Sequence, residues 1–129
     1  MEPQPDQAAQ RAIQQVLADL NRNPLAPPGL KEIQDEITAA GSDPAEILAY
    51  LEESGQVVKI AEGVYYSRSG LELARERLEQ HFQEKSEVSL AEARDIWETS
   101  RKYTLPLLEY FDRIKFTRRI GDNRVRIGR

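Results

Sequence analysis

The chain has 129 residues and a formal net charge of −4, a length that fits one ordinary domain or two small ones. It contains no cysteine and a single histidine, which excludes disulfides and thiolate metal sites and argues against nitrogen-rich metal sites and Cys-His or Ser-His catalysis. No run of about 18 apolar residues occurs, and residues 1–5 lack a signal-peptide pattern, so we expect a soluble cytoplasmic protein without metal or cofactor.

The first 68 residues predict three helices followed by a hairpin. Apolar residues at three-to-four spacing mark the helices, and Pro and Gly residues end them. Ser42 or Asp43 is the N-cap of the third helix, with Pro44 in its first turn. In the hairpin, Tyr65 and Tyr66 are expected to be strand residues, one pointing inward and the other outward. The predicted elements are helices over residues 9–20, from Leu30 to a stop at Gly41 and from Pro44 to a stop at Gly55, and two strands within 57–67 that turn at Glu62-Gly63.

The remaining residues begin with two further helices. The first follows Ser69-Gly70 and carries an apolar stripe from Leu71 to Phe82. Ser89 begins the second as part of a capping box with Glu92. Trp97 lies on the apolar side of this helix, so we expect it in the core.

A third helix and a second hairpin complete this copy. If Thr104 caps the helix, Pro106 lies in the first turn, where proline costs little. Residues 99–103 then form an exposed turn, and the helix runs to about Ile114. Residues 116–127 predict a hairpin that turns at Gly121-Asp122-Asn123.

The two copies match at a constant offset of 60 residues. Three helices and a hairpin in each copy predict two tandem winged-helix domains, mostly α with small β-hairpins, over residues 1–68 and 69–129. Ser69-Gly70 is then the whole linker. The matching positions are Leu30 with Leu90, Glu32 with Glu92, Asp35 with Asp95, Ile60 with Ile120, and residues 47–52 with 107–112.

Positive charge is concentrated at the carboxyl end of the chain. Residues 101–129 contain nine basic and three acidic residues, a net charge of +6, and residues 1–100 carry −10. In a winged helix, the start of the third helix and the wing, which is the hairpin, are the elements that reach a nucleic acid. Both are basic in the second copy, which favours nucleic-acid binding. The candidate binding residues are Ser100, Arg101, Lys102, Tyr103, Arg118, Arg119, Asn123, Arg124 and Arg126.

Strand alternation predicts which side chains of the second wing are exposed. Phe116, Ile120, Val125 and Ile127 are expected to point inward, and Arg119, Arg124 and Arg126 are expected to be exposed. The orientation of Arg118 stays open, as does contact between Tyr103 and a nucleic acid.

Other interpretations remain. A charged run often marks only a solvated face, but here the excess has one sign and falls on both binding elements. The first copy has an acidic third helix, with Glu46, Glu52 and Glu53, which indicates a spacer or adaptor. A DNA-binding module is a rival, although residues 105–109 are too apolar and acidic to line a groove. A protein-interaction module is the other, and it leaves the basic end unexplained.

Residues 99–126 closely resemble the carboxyl end of the SelB family of bacterial selenocysteine-specific elongation factors, and residues 88–95 resemble the segment before it. In that family this end is a string of four winged helices, and this chain is similar to the last two. The resemblance implies that the last winged helix binds the selenocysteine insertion (SECIS) element, an mRNA hairpin after an in-frame UGA codon.

The family positions expected at the RNA are Ser100, Arg101, Lys102, Arg119, Asn123 and Arg124. Lys102, Arg119 and Arg124 are expected to contact phosphates, and Arg101 to discriminate bases. The family's GTPase, which carries selenocysteinyl-tRNA, is not in this sequence, and no GxxxxGK[ST] phosphate loop occurs. The resemblance therefore implies a chain that is not an enzyme and that meets GTP, selenocysteinyl-tRNA and the ribosome through other parts of such a factor. We expect the chain to be a monomer.

Overall fold

A computed structural model of the chain describes residues 6–128, over which there are six α-helices and five β-strands. The chain divides into two compact units between Gly70 and Leu71. In each repeat three helices precede an antiparallel hairpin, so the predicted winged-helix architecture is confirmed. None of the helices in this range is long and apolar enough to cross a membrane.

The first unit contains α1 (Gln7–Arg22), α2 (Leu30–Ala39), α3 (Pro44–Glu53), β1 (Val57–Ala61) and β2 (Val64–Ser67). The Asp6 carboxylate caps α1 by accepting a hydrogen bond from the Ala9 amide at 2.7 Å. Asp43 is the N-cap residue of α3, with Pro44 as the first helical residue, as predicted. The apolar faces of the three helices and the hairpin close one core that includes Val16, Leu20, Ile33, Ile37, Leu51 and Val57.

Both tyrosines of the first hairpin are buried, so the expectation that one points outward is wrong. Tyr65 joins the helical core. Tyr66 lies against the loop between α1 and α2, where its hydroxyl donates to the Leu25 carbonyl at 2.8 Å. The loop thus covers the second face of the hairpin, which strand alternation alone does not reveal.

The second unit contains most of α4 (Arg68–Glu84), then β3 (Glu87–Ser89), α5 (Leu90–Trp97), α6 (Arg101–Arg113), β4 (Thr117–Ile120) and β5 (Asn123–Arg126). The short strand β3 is absent from the sequence prediction. It pairs antiparallel with β5, which gives a three-stranded sheet in the order β3-β5-β4. β5 is therefore the central strand, with a neighbour on each side.

Ser69 and Gly70 form part of the first turn of α4 instead of a separate linker. A side chain at position 70 would place its Cβ 2.7 Å from the carbonyl oxygen of Pro24, well inside contact distance. Gly70 is thus required by the close approach of the two backbone segments.

The predicted capping box of α5 is confirmed. The Glu92 amide donates to the Ser89 hydroxyl at 3.1 Å, and the Glu92 carboxylate accepts from the Ser89 amide at 3.0 Å. The Ser89 amide, with Lys85 nearby, lowers the pKa of Glu92 to about 2. At the other end of the helix Trp97 is buried as predicted, and its indole N–H donates to the Ala74 carbonyl at 3.0 Å.

Candidate nucleic-acid interface

Helix α6 begins with the two cations that the sequence singles out. Ser100 is its N-cap residue, and Arg101 and Lys102 form the first turn with exposed side chains. That turn contains no acidic residue, and within residues 6–128 the Ser100 side chain caps no amide. Each cation at the positive end of a helix dipole is unfavourable by about 0.3–1 kcal/mol. The start of α6 therefore gains stability when an anion is bound there.

The prediction that Thr104 caps α6 is wrong, because the N-cap residue is Ser100, four residues earlier. Thr104 is fully buried within the helix, and its hydroxyl donates to the Ser100 carbonyl, four residues earlier, at 2.8 Å. Pro106 consequently lies within the helix. It has no N–H to donate to the carbonyl of Lys102, the usual acceptor four residues earlier.

Lys102 and Tyr103 lie close together at this end of the helix. The Lys102 ammonium nitrogen is 5.3 Å from the centre of the Tyr103 ring, within the range of a cation–π contact. Tyr103 is half-buried. The Tyr103 ring thus packs against Lys102 in an otherwise exposed turn. Contact between Tyr103 and a nucleic acid stays a prediction.

The inner face of the second wing is built from polar residues. Thr117 pairs with Arg126 and Arg119 with Arg124 across β4 and β5, and directly opposed residues share a face. Thr117 and Arg124 are 1% and 3% exposed, so this face packs against the helices. The expectation that Arg124 is exposed is therefore wrong, and Arg126, which is half-buried, is also less exposed than expected.

The outer face of the same wing carries Arg118, Val125 and Ile120. Arg118 is exposed, which settles the orientation that the sequence leaves open. Ile120 is 43% exposed and Ile127, beyond β5, is 37% exposed, so their predicted inward orientation is wrong. Val125 is only half-buried.

Asp112 in the last turn of α6 accounts for the burial of Arg124. Its Oδ2 accepts hydrogen bonds from Nε and Nη2 of Arg124 at 3.3 and 3.2 Å. Its Oδ1 accepts one from the Thr117 hydroxyl at 2.7 Å. A buried guanidinium needs such a partner, because an unpaired buried charge costs several kcal/mol, on the order of 3–5.

Arg126 is held by a second carboxylate and by an aromatic ring. Its Nε donates to the Glu79 carboxylate on α4. Its guanidinium carbon lies 4.9 Å from the centre of the Phe116 ring, and that of Arg75 lies 5.0 Å from the same ring. Arg126 thus connects the wing to α4 rather than projecting into solvent.

The wing tip presents Arg119 in a defined orientation. Its Nε donates to the Gly121 carbonyl at 2.8 Å, and its Nη2 lies 3.8 Å from the Asp122 carboxylate. The Arg119 side chain is nevertheless 61% exposed, and neighbouring Asn123 is half-buried. The candidate residues that are exposed are Ser100, Arg101, Lys102, Arg118 and Arg119.

Two further exposed cations lie at the end of α6 and were not predicted. They are Arg113, whose guanidinium carbon is 5.8 Å from the centre of the Tyr110 ring, and Lys115, which has a positive φ of 67°. Both residues belong to the basic segment at the carboxyl end, which could have suggested them, but neither lies at the start of the third helix or on the wing, the two elements expected to bind.

Between residues 6 and 128 no group of three or more His, Asp or Glu side chains is arranged to hold a metal ion.

Comparison with known proteins relates the second unit to one family. Residues 80–126 match the family model described as "Elongation factor SelB, winged helix". The chain is 34% identical over 100 residues to the selenocysteine-specific elongation factor of Desulfomicrobium baculatum. That alignment covers 78% of this chain and 16% of the relative, so the chain spans only a small part of that protein's length.

Two solved structures share the fold. The mRNA-binding domain of elongation factor SelB from E. coli, in complex with SECIS RNA, aligns with a TM-score of 0.74 and 27% identity over 94% of this chain and 98% of that one. The bacterial selenocysteine-specific elongation factor EF-Sec aligns with a TM-score of 0.65 and 21% identity over 94% of this chain and 18% of that one.

Proposed function

Since the chain belongs to the SelB family of elongation factors through its winged helix at residues 80–126, we propose that it binds a SECIS hairpin of an mRNA. The observation that carries this proposal is the alignment with an mRNA-binding domain seen in complex with SECIS RNA, over nearly the whole of both chains. In this proposal the chain acts by binding and catalyses no reaction.

The proposed binding surface consists of the start of α6 and the wing of the second unit. An A-form stem hides its base edges in a deep, narrow groove, so sequence is read in loops, where bases unstack. Arg101 suits base recognition, since its planar guanidinium both stacks and donates paired hydrogen bonds. Lys102, Arg118 and Arg119 are exposed and suit phosphate contacts. Ser100, Tyr103 and Asn123 supply hydroxyl and amide groups beside them.

The first unit is proposed as a spacer or adaptor. Residues 1–70 contain five basic and eleven acidic residues, whereas residues 71–129 contain thirteen basic and eleven acidic ones. In the first wing Lys59 is paired with Glu62 at 3.1 Å, so its charge is offset locally. A polyanion is therefore attracted mainly to the second unit.

The larger role is proposed from the relatives. In a selenocysteine-specific elongation factor, a SECIS-binding end would tether to the mRNA the parts that meet GTP, selenocysteinyl-tRNA and the ribosome. Because its ligand would be an mRNA read during translation, the proposed place of action is the cytoplasm.

Titration of the whole chain with three nucleic acids tests this function. These are a SECIS hairpin, the same hairpin with altered loop bases, and a DNA duplex of the stem sequence. We expect tight binding to the first and weakening by about 1–3 kcal/mol per lost base contact for the second, by analogy with specific base pairs. If the DNA duplex bound as tightly as the SECIS hairpin, a DNA-binding module would be favoured. If none of the three nucleic acids bound, a protein-interaction module would be the remaining interpretation.

A further inference from the structure

We propose that Asp112 is a positioning residue for RNA binding, and that Arg124 acts through Asp112 instead of contacting the RNA. The inference deepens the proposed function and rests on it. Together the two side chains hold the wing of the second unit against α6, so that Arg118 and Arg119 are presented in a fixed place.

The Asp112 carboxylate contacts both strands of the wing at once. One oxygen accepts from Thr117 on β4, at 2.7 Å, and the other accepts two bonds from Arg124 on β5. Asp112 itself belongs to α6, the helix that begins with Arg101. A single carboxylate therefore connects the recognition helix to each wing strand.

Burial distinguishes Arg124 from the other wing cations. Its side chain is 4% exposed and that of Asp112 is 25% exposed, whereas the Arg119 side chain is 61% exposed. Arg124 also lies on the central strand, paired with Val88 on one side and Arg119 on the other. To reach a phosphate, Arg124 would have to move out of the interior of the unit and break its ion pair with Asp112. The Asp112 carboxylate would then lose its cationic partner.

The connection lies next to the exposed cations of the wing. Arg118 follows Thr117 in sequence, and Arg119 is the cross-strand partner of Arg124. If the carboxylate were lost, both strands would lose their polar attachment to α6 next to these residues. The wing would then sample more orientations, and binding would have to offset the entropy of ordering it.

The sign of an affinity change separates positioning from simple charge. Removing an acidic group near a polyanion should tighten binding. We therefore compare Asp112→Asn with Asp122→Asn, since Asp122 lies fully exposed at the tip of the same wing. At moderate salt we expect Asp112→Asn to weaken SECIS binding about fivefold or more and Asp122→Asn to tighten it about twofold. Tighter binding by Asp112→Asn would overturn the proposal.

Two milder variants cover the case in which Asp112→Asn fails to fold. Thr117→Val removes one hydrogen bond without a change of charge, and we expect about threefold weaker binding from a folded protein. The double variant Asp112→Asn, Arg124→Gln replaces the ion pair by a neutral hydrogen-bonded pair at unchanged net charge. It should bind better than Asp112→Asn alone. Unchanged binding by Thr117→Val would show that the connection is unimportant. A folded double variant that binds no better than Asp112→Asn alone would show that Arg124 touches the RNA.

Amide hydrogen exchange in the free protein separates this inference from the proposed function. Thr117→Val should speed exchange in β4 and β5 and leave α5 unchanged. If the wild type binds no SECIS hairpin, the proposed function fails, and faster wing exchange would still show that the carboxylate orders the wing. Unchanged wing exchange would refute the positioning role by itself.

Discussion

Lys115 occupies, in the second unit, the left-handed backbone position that Gly55 occupies in the first. Their φ angles are 67° and 78°, and each follows the end of the third helix of its repeat. The amide of Gly55 donates to the Glu52 carbonyl and that of Lys115 to the Asp112 carbonyl, both at 3.1 Å. The two repeats thus end this helix in the same way, although only one uses glycine.

This relationship predicts that Lys115→Gly stabilises the protein. A residue with a Cβ costs roughly 1–2 kcal/mol in the left-handed region, and glycine avoids this cost. Glycine also has a greater entropy in the unfolded state, which offsets part of the benefit, so we expect the free energy of unfolding to rise by about 1 kcal/mol. Urea denaturation measures the change. The control is Lys115→Ala, which removes the charge and keeps the Cβ; equal stability of the two variants would refute the explanation.

The capping box of α5 predicts a dependence of stability on pH. Hydrogen bonding to the Ser89 amide, with Lys85 nearby, lowers the Glu92 pKa from 4.5 to about 2 in the folded state. The contribution of the carboxylate is therefore present above pH 4.5 and is lost as the pH falls toward 2. Glu92→Gln should reduce the change in melting temperature across this window. The exposed Glu109→Gln serves as control, and an equal effect in both variants would contradict the assignment to the capping box.

Two substitutions at the start of α6 should affect RNA binding differently. Lys102→Ala should weaken binding to cognate and loop-altered hairpins alike and reduce the salt slope by about 0.7–0.9 per lost phosphate contact. Arg101→Ala should instead reduce the difference between the two hairpins. Titrations at several salt concentrations measure both quantities, with the exposed Lys31→Ala of the first unit as control. Equal weakening of all hairpins by Arg101→Ala would make Arg101 another phosphate contact.

Pro106→Ala should stabilise α6. Alanine restores the amide that can donate to the Lys102 carbonyl, and proline inside a helix costs about 3 kcal/mol relative to alanine. Because Pro106 is half-buried and some packing is lost, we expect a gain of about 1–2 kcal/mol in thermal or urea unfolding. The adjacent and exposed Leu105→Ala should change stability by less than about 0.5 kcal/mol. A loss of stability in Pro106→Ala would mean that the ring's contacts outweigh the missing hydrogen bond.

The fold could largely be predicted from the sequence because its signals are local. Helix periodicity, the Asp43-Pro44 start and the Ser89–Glu92 capping box each depend on residues a few positions apart. The burial of Trp97 follows from its place on one apolar stripe. Strand β3 could not be found in this way, since three residues have no periodicity and their partner is 36 positions away in β5.

The candidate site could be predicted as a segment but not side chain by side chain. Alternation assumes that apolar residues face inward, whereas Arg124 and Arg126 find carboxylates on Asp112 and Glu79 and become part of the interior. These partners lie 12 and 47 residues away, so the pairing is set by tertiary structure. Similarly, Pro106 suggests a late start for α6, and tertiary packing of Thr104 overrides that preference.

The sheet order β3-β5-β4 leaves two edge strands within the described part of the chain, and they differ in how readily they could pair with another molecule. β3 offers only three residues, but β4 has a free side along four, which is a template for pairing with another copy. Arg118 and Arg119 stand on that strand, so their mutual repulsion between molecules discourages edge-to-edge aggregation. The same guanidinium groups that we propose for the messenger therefore also help to keep the free protein dispersed, and shielding them by salt would weaken this protection.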